Sequence, residues 1–398
     1  MDFGAFELAR LPRILFGANK IQAVPNVVAS FGTRALVVTG AHSFTRTHHW
    51  PVLQRQFNER SISYVHSIVA GEPSPQLIDE AVKRYSREQI DVVVGIGGGS
   101  VIDAGKAIAG LLPFGNSVLD HLEGVGKGIP YLGPSLPFIA VPTTAGTGSE
   151  ATKNAVLSVQ GEHGYKKSFR HDALIPSYAV VDPELLASCP PELIAANGMD
   201  ALTQLLESYV ATKANPFTDA LAWSGLEAVA AGLLPAWRGG TRPAAQQARS
   251  QMAYGALLSG ITLAHAGLGA VHGLAAPLGA FFPIAHGIAC GTTVAAATAI
   301  NLAALRARAP NHVALSKYAR VGKLFAGIVT ANDNEAQDAL VQTLRDWGKV
   351  MQLPKLSAYG VTPLHFDKLV LNSRGNSMQT NPIVLSDSEV RTIFEQCV

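Results

Sequence analysis

Residues 91–109, DVVVGIGGGSVIDAGKAIA, pass from a run of valines through a glycine turn into an alanine-rich segment with helical spacing. Val92–Val94 favour a pleated strand, where branched side chains pack well and lose little freedom. Gly95-Ile96-Gly97-Gly98-Gly99-Ser100 then lets backbone N–H groups approach an anion closely, and the helix that follows turns its positive end toward the same place. The pyrophosphate of a dinucleotide suits such a turn, although ordinary strand-to-helix turns use glycine too.

The surroundings extend the pattern. RALVVTG (34–40), ISYVHSIV (62–69) and PFIAVPTT (137–144) read as further strands, and 76–89 and 100–112 read as helices. Strands alternating with helices predict a parallel sheet with helical crossovers, a Rossmann-like half. A second cluster, Pro142-Thr143-Thr144-Ala145-Gly146-Thr147-Gly148-Ser149-Glu150, offers hydroxyls and bare backbone at the carboxyl end of its strand, where ribose and phosphate bind in such sheets. After Pro190–Pro191 the strand pattern stops, and long Ala- and Leu-rich helical segments follow. The organisation expected is an α/β dinucleotide-binding domain over 1–190 and an all-α domain over 191–398.

Composition narrows the function classes. Hydrophobic residues make up 48% of the 398 and charged residues 15%, so a large core is expected and disorder is not. A net charge of +2, with no basic run, gives no case for nucleic acid. Cys189, Cys290 and Cys397 are too few and too dispersed for a disulfide framework. The N-terminal stretch has an early acid and no apolar core of a signal peptide, so a reducing cytoplasm is expected.

Between Arg249 and Arg306 the chain has no Asp, Glu, Lys or Arg, yet it holds His265, His272 and His286. A run without full charges belongs in an interior, and imidazoles there need partners. Glycines and prolines interrupt the run repeatedly, which argues for buried helices joined by turns rather than a membrane span. Upstream, Asp200 and Gln204 lie one helical turn apart. Asp200, His272 and His286 together would make an N/O site for a divalent metal; histidines bonded to backbone carbonyls are the plainer alternative, since the spacing matches no known ligand motif.

In order along the chain, LPRILFG (11–17), EPSP (72–75), DVVVGIGGGSVIDAGKAIA (91–109), VPTTAGTGSE (141–150), VVDPELL (180–186), NGMDALTQLLESY (197–209), GLGAVHGLAAPLGAFFPIAHG (267–287) and QTNP (379–382) resemble the iron-containing (group III) alcohol dehydrogenases. The resemblance implies a dehydroquinate synthase-like architecture, with a catalytic cleft where a divalent metal, commonly Fe²⁺ with Zn²⁺ as the other candidate, assists hydride transfer between an alcohol and a nicotinamide. It assigns the metal to Asp200, Gln204, His272 and His286. Asp200, His272 and His286 also become the catalytic set. The cofactor falls to Gly40, Ser43, Ser74, Gly97, Gly98, Gly99, Ser100, Asp103, Thr143, Thr144, Thr147 and Lys166 or Lys167. A homodimer or higher homo-oligomer is implied as well.

The chain departs from that family at two places. Gln204 stands where relatives have a His ligand, and a carboxamide is a weaker donor, so partial metal occupancy is expected. Ala276 stands where relatives carry a His that is a candidate for relaying protons. Where members preferring NAD carry an Asp for the ribose 2′-hydroxyl, this chain has Gly40, with Ser43 and Arg46 nearby, which favours NADP(H). Phe281, Phe282, Leu278 and Ile284 suggest an apolar lining and a small uncharged alcohol or aldehyde. Alternatives are a metal-independent reductase resembling maleylacetate reductase, a nucleotide-binding homologue without catalysis, and a dehydroquinate-synthase-like lyase. The lyase is disfavoured because its polyanionic substrate needs Lys and Arg near His272 and His286.

Overall fold

The computed structural model describes residues 5–398, which divide into two compact units. One unit is Ala9–Val159 with Lys166–Cys189. The other is Pro190–Val398 with residues 160–165 and the described residues up to Leu8.

The first unit carries strands β1 (Arg13–Phe16), β2 (Arg34–Gly40), β3 (Ser63–Val69), β4 (Val92–Gly97), β5 (Phe138–Pro142), β6 (Asn154–Val159), β7 (Tyr165–Arg170) and β8 (Tyr178–Val181). Six of them form a sheet in the order β1-β8-β5-β4-β2-β3, with every neighbouring pair parallel; β6 and β7 pair separately. Helices α1 (Val24–Ala29), α2 (His49–Glu59), α3 (Pro75–Tyr85) and α4 (Gly99–Leu111) supply the crossovers. Val37, Val94, Ile96 and Ile139 of the sheet pack with Val24, Val28, Leu53 and Phe57 from α1 and α2. Burial on both faces explains why the central strands read as unbroken apolar runs.

The strand order reverses between β2 and β4: β3 continues to one side, β5 and β8 to the other. In open α/β sheets ligands bind at the carboxyl ends of the strands flanking such a reversal. Here those ends are Gly40 and Gly97.

Lys106 fixes the next segment. It is fully buried on α4, and its Nζ donates to Ser149 O (3.0 Å), Thr152 O (3.3 Å), Thr152 Oγ1 (3.0 Å) and the carbonyl of Asn154, while facing Asp103 Oδ1 at 3.3 Å. A buried ammonium without such acceptors would be prohibitively costly. The contacts therefore hold residues 149–154 onto α4, and with them the hydroxyl-rich loop after β5.

The second unit is helical: α5 (Pro191–Val210), α6 (Pro216–Arg238), α7 (Pro243–Ala266), α8 (Ala270–Phe281), α9 (His286–Arg308), α10 (Val313–Ala326), α11 (Asp333–Val350), and the shorter α12 (Phe366–Asn372), α13 (Asn376–Gln379) and α14 (Asp387–Glu395). Proline opens α5, α6 and α7 at the first turn, where its missing N–H costs nothing. The charge-free run becomes most of α7, all of α8 and most of α9. By length and composition alone α6 and α9 are long and apolar enough to cross a membrane, so glycine interruptions do not dispose of that reading. Packing accounts for α9 more directly. Its Asn301 is buried, donates to Asn381 Oδ1 (3.1 Å) and accepts from Asn381 Nδ2 (2.7 Å), an arrangement suited to a protein core.

Candidate active site

In the α/β unit the glycine turn faces the loop after β5. Thr143 N donates to Gly97 O at 2.9 Å, extending the β4–β5 ladder by one bond. A Cβ on Gly98 would stand 3.3 Å from Thr144 Oγ1, and one on Gly99 would stand 2.7 Å from Thr147 Oγ1 and Cγ2. The close approach leaves no room for a side chain at Gly99. Gly98, extended, caps α4, so Gly99 and Ser100 open the helix with their N–H groups free of intrahelical partners. Gly40 lies across the strand reversal, where an added Cβ would meet Ser43 Oγ at 3.3 Å and Val101 Cγ2 at 3.8 Å. Ser43 and Arg46 are exposed.

The remaining cofactor candidates are engaged otherwise. Ser74 caps α3, its Oγ accepting from Leu77 N at 3.2 Å. Asp103 accepts from Ser149 Oγ and faces Lys106. Lys166 pairs with Glu72 at 2.8 Å, and Lys167 is exposed, its ammonium beside Gly124.

In the helical unit four donors converge. Asp200 from α5, His272 from α8, and His286 and Cys290 from α9 place one ligand atom each within 4.8 Å of one another. Asp200 Oδ1 lies 3.3 Å from His272 Nε2 and 3.8 Å from His286 Nε2; Cys290 Sγ lies 3.8 and 3.9 Å from the same two nitrogens. A tetrahedron with metal–ligand bonds of about 2.0–2.3 Å has edges of roughly 3.3–3.6 Å, so these separations fit a divalent ion with little adjustment. Asp200 Oδ2 is buried and has no hydrogen-bond partner, a costly state that a cation would relieve. On these two observations the residues fit a metal.

Local sequence explains the convergence. His286 and Cys290 are one turn apart at the start of α9, so they share a face. Gly287 and Gly291, one position along, let α9 press onto α5: a Cβ on Gly287 would lie 2.4 Å from Ala196 O, and one on Gly291 would lie 3.0 Å from Met199 Cβ. On α5 the same periodicity aligns Asp200, Gln204 and Glu207, all buried. The α7–α8 corner bends by 102°, and the first N–H groups of α8 are held from outside, Ala270 N by Asn381 Oδ1 (3.0 Å) and Val271 N by Glu207 Oε1 (2.6 Å).

Glu207 also fixes His272. Its Oε2 lies 2.6 Å from Nδ1, so Nδ1 donates to it and Nε2 faces Asp200 Oδ1, the nitrogen left for a metal that displaces its proton. Gln204 does not offer its oxygen to the cluster. Oε1 accepts from Ser259 Oγ at 2.7 Å, and Nε2 donates to Asp200 Oδ1 at 3.1 Å. His265 is outside the cluster, its Nδ1 facing Ile261 O at 2.6 Å one turn back on α7.

Burial pushes the Asp200 carboxyl up, but the His286 and His272 imidazoles outweigh it and hold it below the ordinary range. Burial likewise works against a charge on His272, while the neighbouring Cys290, Asp200 and Glu207 raise it well above the ordinary value. The cluster thus attracts positive charge, and a metal competes with a proton for Nε2. Burial pushes the Cys290 thiol up to about 12.

The sequence pattern described as "Iron-containing alcohol dehydrogenase" matches residues 12–183, and that described as "Fe-containing alcohol dehydrogenase family, C-terminal" matches 194–398. The chain belongs to the iron-containing alcohol dehydrogenase family. It is 32% identical to "Alcohol dehydrogenase 4" of Schizosaccharomyces pombe over 96% of this chain and 87% of that protein. It is 30% identical to "NADPH-dependent butanol dehydrogenase" of Clostridium saccharobutylicum over 98% and 97%. The crystal structure of a 1,3-propanediol oxidoreductase superposes with a TM-score of 0.89 at 29% identity, covering 99% of this chain and 100% of that one. The protein is therefore an NAD(P)-dependent oxidoreductase acting on CH–OH groups.

Within this family member, sequence reading missed Cys290 and Glu207. Cys290 follows His286 by four residues, and Glu207 follows Asp200 by seven; helical spacing places both on the faces already singled out. Glu207→Gln is expected to weaken divalent-metal affinity about 10- to 100-fold, because an amide does not hold the His272 tautomer as a carboxylate does. Equilibrium metal binding checks this, and unchanged affinity would assign Glu207 to the α8 N-terminus alone.

Proposed function

We propose that this enzyme interconverts a small, uncharged alcohol and its aldehyde with NADP(H), assisted by a divalent metal, in the cytoplasm and as a homodimer or higher homo-oligomer. The convergence of His272 and His286 on Asp200 Oδ1, with Oδ2 of the same buried carboxylate unpartnered, carries the metal-assisted reading. Bound there, a divalent cation would polarise a carbonyl oxygen toward hydride acceptance. The chain's own residues prepare that place. Glu207 holds His272 in one tautomer, Ser259 orients Gln204, and Gln204 steadies Asp200. The His286 side chain, 26% exposed where those of His272 and Asp200 are 5% and 0%, marks the side from which substrate reaches the cluster. Ala276, one turn after His272, leaves no imidazole there to relay a proton.

Residues 250–305 hold no Lys or Arg, which supports an uncharged substrate. The apolar residues first considered as its lining do not add to this. Leu278 and Ile284 are core, Phe281 lies under the Lys368 ammonium, and Phe282 packs edge-on against His365. A spectrophotometric screen of aldehydes against NADPH and NADH tests the activity. Turnover confined to anionic substrates would exclude the substrate class proposed.

The cofactor preference rests on Gly40 at the strand reversal. A carboxylate there would face a ribose 2′-phosphate, so Gly40→Asp is expected to shift the NADPH/NADH ratio of kcat/KM about 10- to 100-fold toward NADH, a cost of roughly 1–3 kcal/mol. A wild type that already prefers NADH would contradict the argument.

A further inference from the structure

Gln204 occupies the position at which the family resemblance places a third imidazole, and its carboxamide is used up between Ser259 and Asp200. The cluster nonetheless has four donors, because Cys290 arrives from one turn further along α9. We infer that the metal centre of this chain is an Asp–His–His–Cys site, with the Cys290 thiolate as fourth ligand and Gln204 a positioning residue that orients Asp200. The inference rests on the metal-assisted reading above.

Four observations support it. Cys290 Sγ is within 3.8 and 3.9 Å of both imidazole nitrogens that face the cluster, near the edge length expected around a tetrahedral ion. Cys290 is fully buried, so the thiol is turned into the protein and toward the other donors. Asp200 Oδ1 lies among these atoms, and Oδ2 of the same carboxylate is buried without a partner. Gly291, next along the helix, packs against Met199, which brings this turn of α9 to the residue beside Asp200.

Coordination takes the thiol's proton to solvent, and the metal then stabilises the sulfur anion that burial alone would disfavour. The electrons stay in place, and no oxidant is needed. Exchanging an imidazole for a thiolate softens the donor set. Thiolate favours Zn²⁺ among the divalent ions such a site meets, so the preference moves from Fe²⁺ toward Zn²⁺.

The test loads the full-length protein with Co²⁺ or Zn²⁺ and reads coordination rather than turnover. The Co²⁺ protein is expected to show thiolate-to-cobalt charge-transfer absorption at one ion per chain. This absorption should be lost in Cys290→Ser and kept in Cys189→Ser and Cys397→Ser. Cys290→Ser should lower Zn²⁺ affinity at least about tenfold and reduce its margin over Fe²⁺. X-ray absorption on the zinc-loaded wild type needs no variant, and should show one sulfur scatterer at about 2.3 Å. One bound metal without sulfur in its shell would overturn the assignment of Cys290 and leave the metal-assisted reading standing. Failure to bind either ion stoichiometrically would overturn both.

Discussion

Asp200→Ala is expected to reduce kcat/KM by about a thousandfold or more and to strip the protein of divalent metal. The carboxylate lies at the centre of the cluster, within 3.3 and 3.8 Å of the two imidazole nitrogens, and is the anion that makes a cation welcome there. Lewis-acid assistance contributes several kcal/mol to such a reaction, and each 1.36 kcal/mol is tenfold in rate. Removing Asp200 also frees the Gln204 amide that donates to it. Metal content and steady-state rates, measured on the same folded sample, check the expectation. A variant that keeps both would move the chemistry elsewhere.

The second large effect concerns stability. Burial raises the Glu150 carboxyl to about 7 from its ordinary 4.5, opposed by its own backbone N–H and by Lys106. Between these values the folded state binds more protons than the unfolded chain, so stability falls as pH rises and is lowest above the folded value. Glu150→Gln removes the charge that must be buried. The variant is expected to match the wild type near pH 4.5 and to exceed it by up to about 3 kcal/mol above pH 7. Denaturant unfolding of both proteins at acidic and alkaline pH reads the difference directly. Parallel curves would mean that Glu150 is solvated or paired in solution.

How much of this was legible in the sequence follows from where each signal lay. β2, β4 and β5 are readable because each is a short, mostly apolar run that ends in glycine or proline, and β3 because its β-branched and aromatic residues alternate with polar ones. The short β1 and β8, at and near the sheet edge, carry little signal of their own; RILF and YAVV are four residues each, and β1 finds its partner about 165 residues away. The β6–β7 pair is harder to read because Tyr165–Arg170 is mostly polar and half-buried or exposed, which leaves Asn154–Val159 without an apolar partner run. Glycine spacing located the turn after β4, and only the packing shows why Gly99 must be glycine.

At the metal cluster, Asp200, His272 and His286 were singled out by their place in buried segments and by family resemblance. Residue 204 enters by position alone, and its carboxamide abuts the cluster through Asp200. Position 204 draws attention to α5, whereas Cys290, the donor proposed above, lies on α9, brought in by Gly287 and Gly291 packing against α5. Sequence spacing within α9 contained Cys290; nothing local tied it to Asp200. The cofactor candidates divide in a similar way. Thr144 and Thr147 meet the glycine turn directly, while Ser74 and Lys166 serve a helix cap and an ion pair.

The most direct test of the central claim is the dependence of aldehyde reduction on metal occupancy, measured by elemental analysis alongside NADPH oxidation as a chelator removes the ion and added divalent metal restores it. Metal-assisted reduction at Asp200, His272 and His286 predicts a rate that falls in proportion to occupancy and returns with it. Full activity in protein shown to be metal-free would contradict that claim and identify a metal-independent reductase.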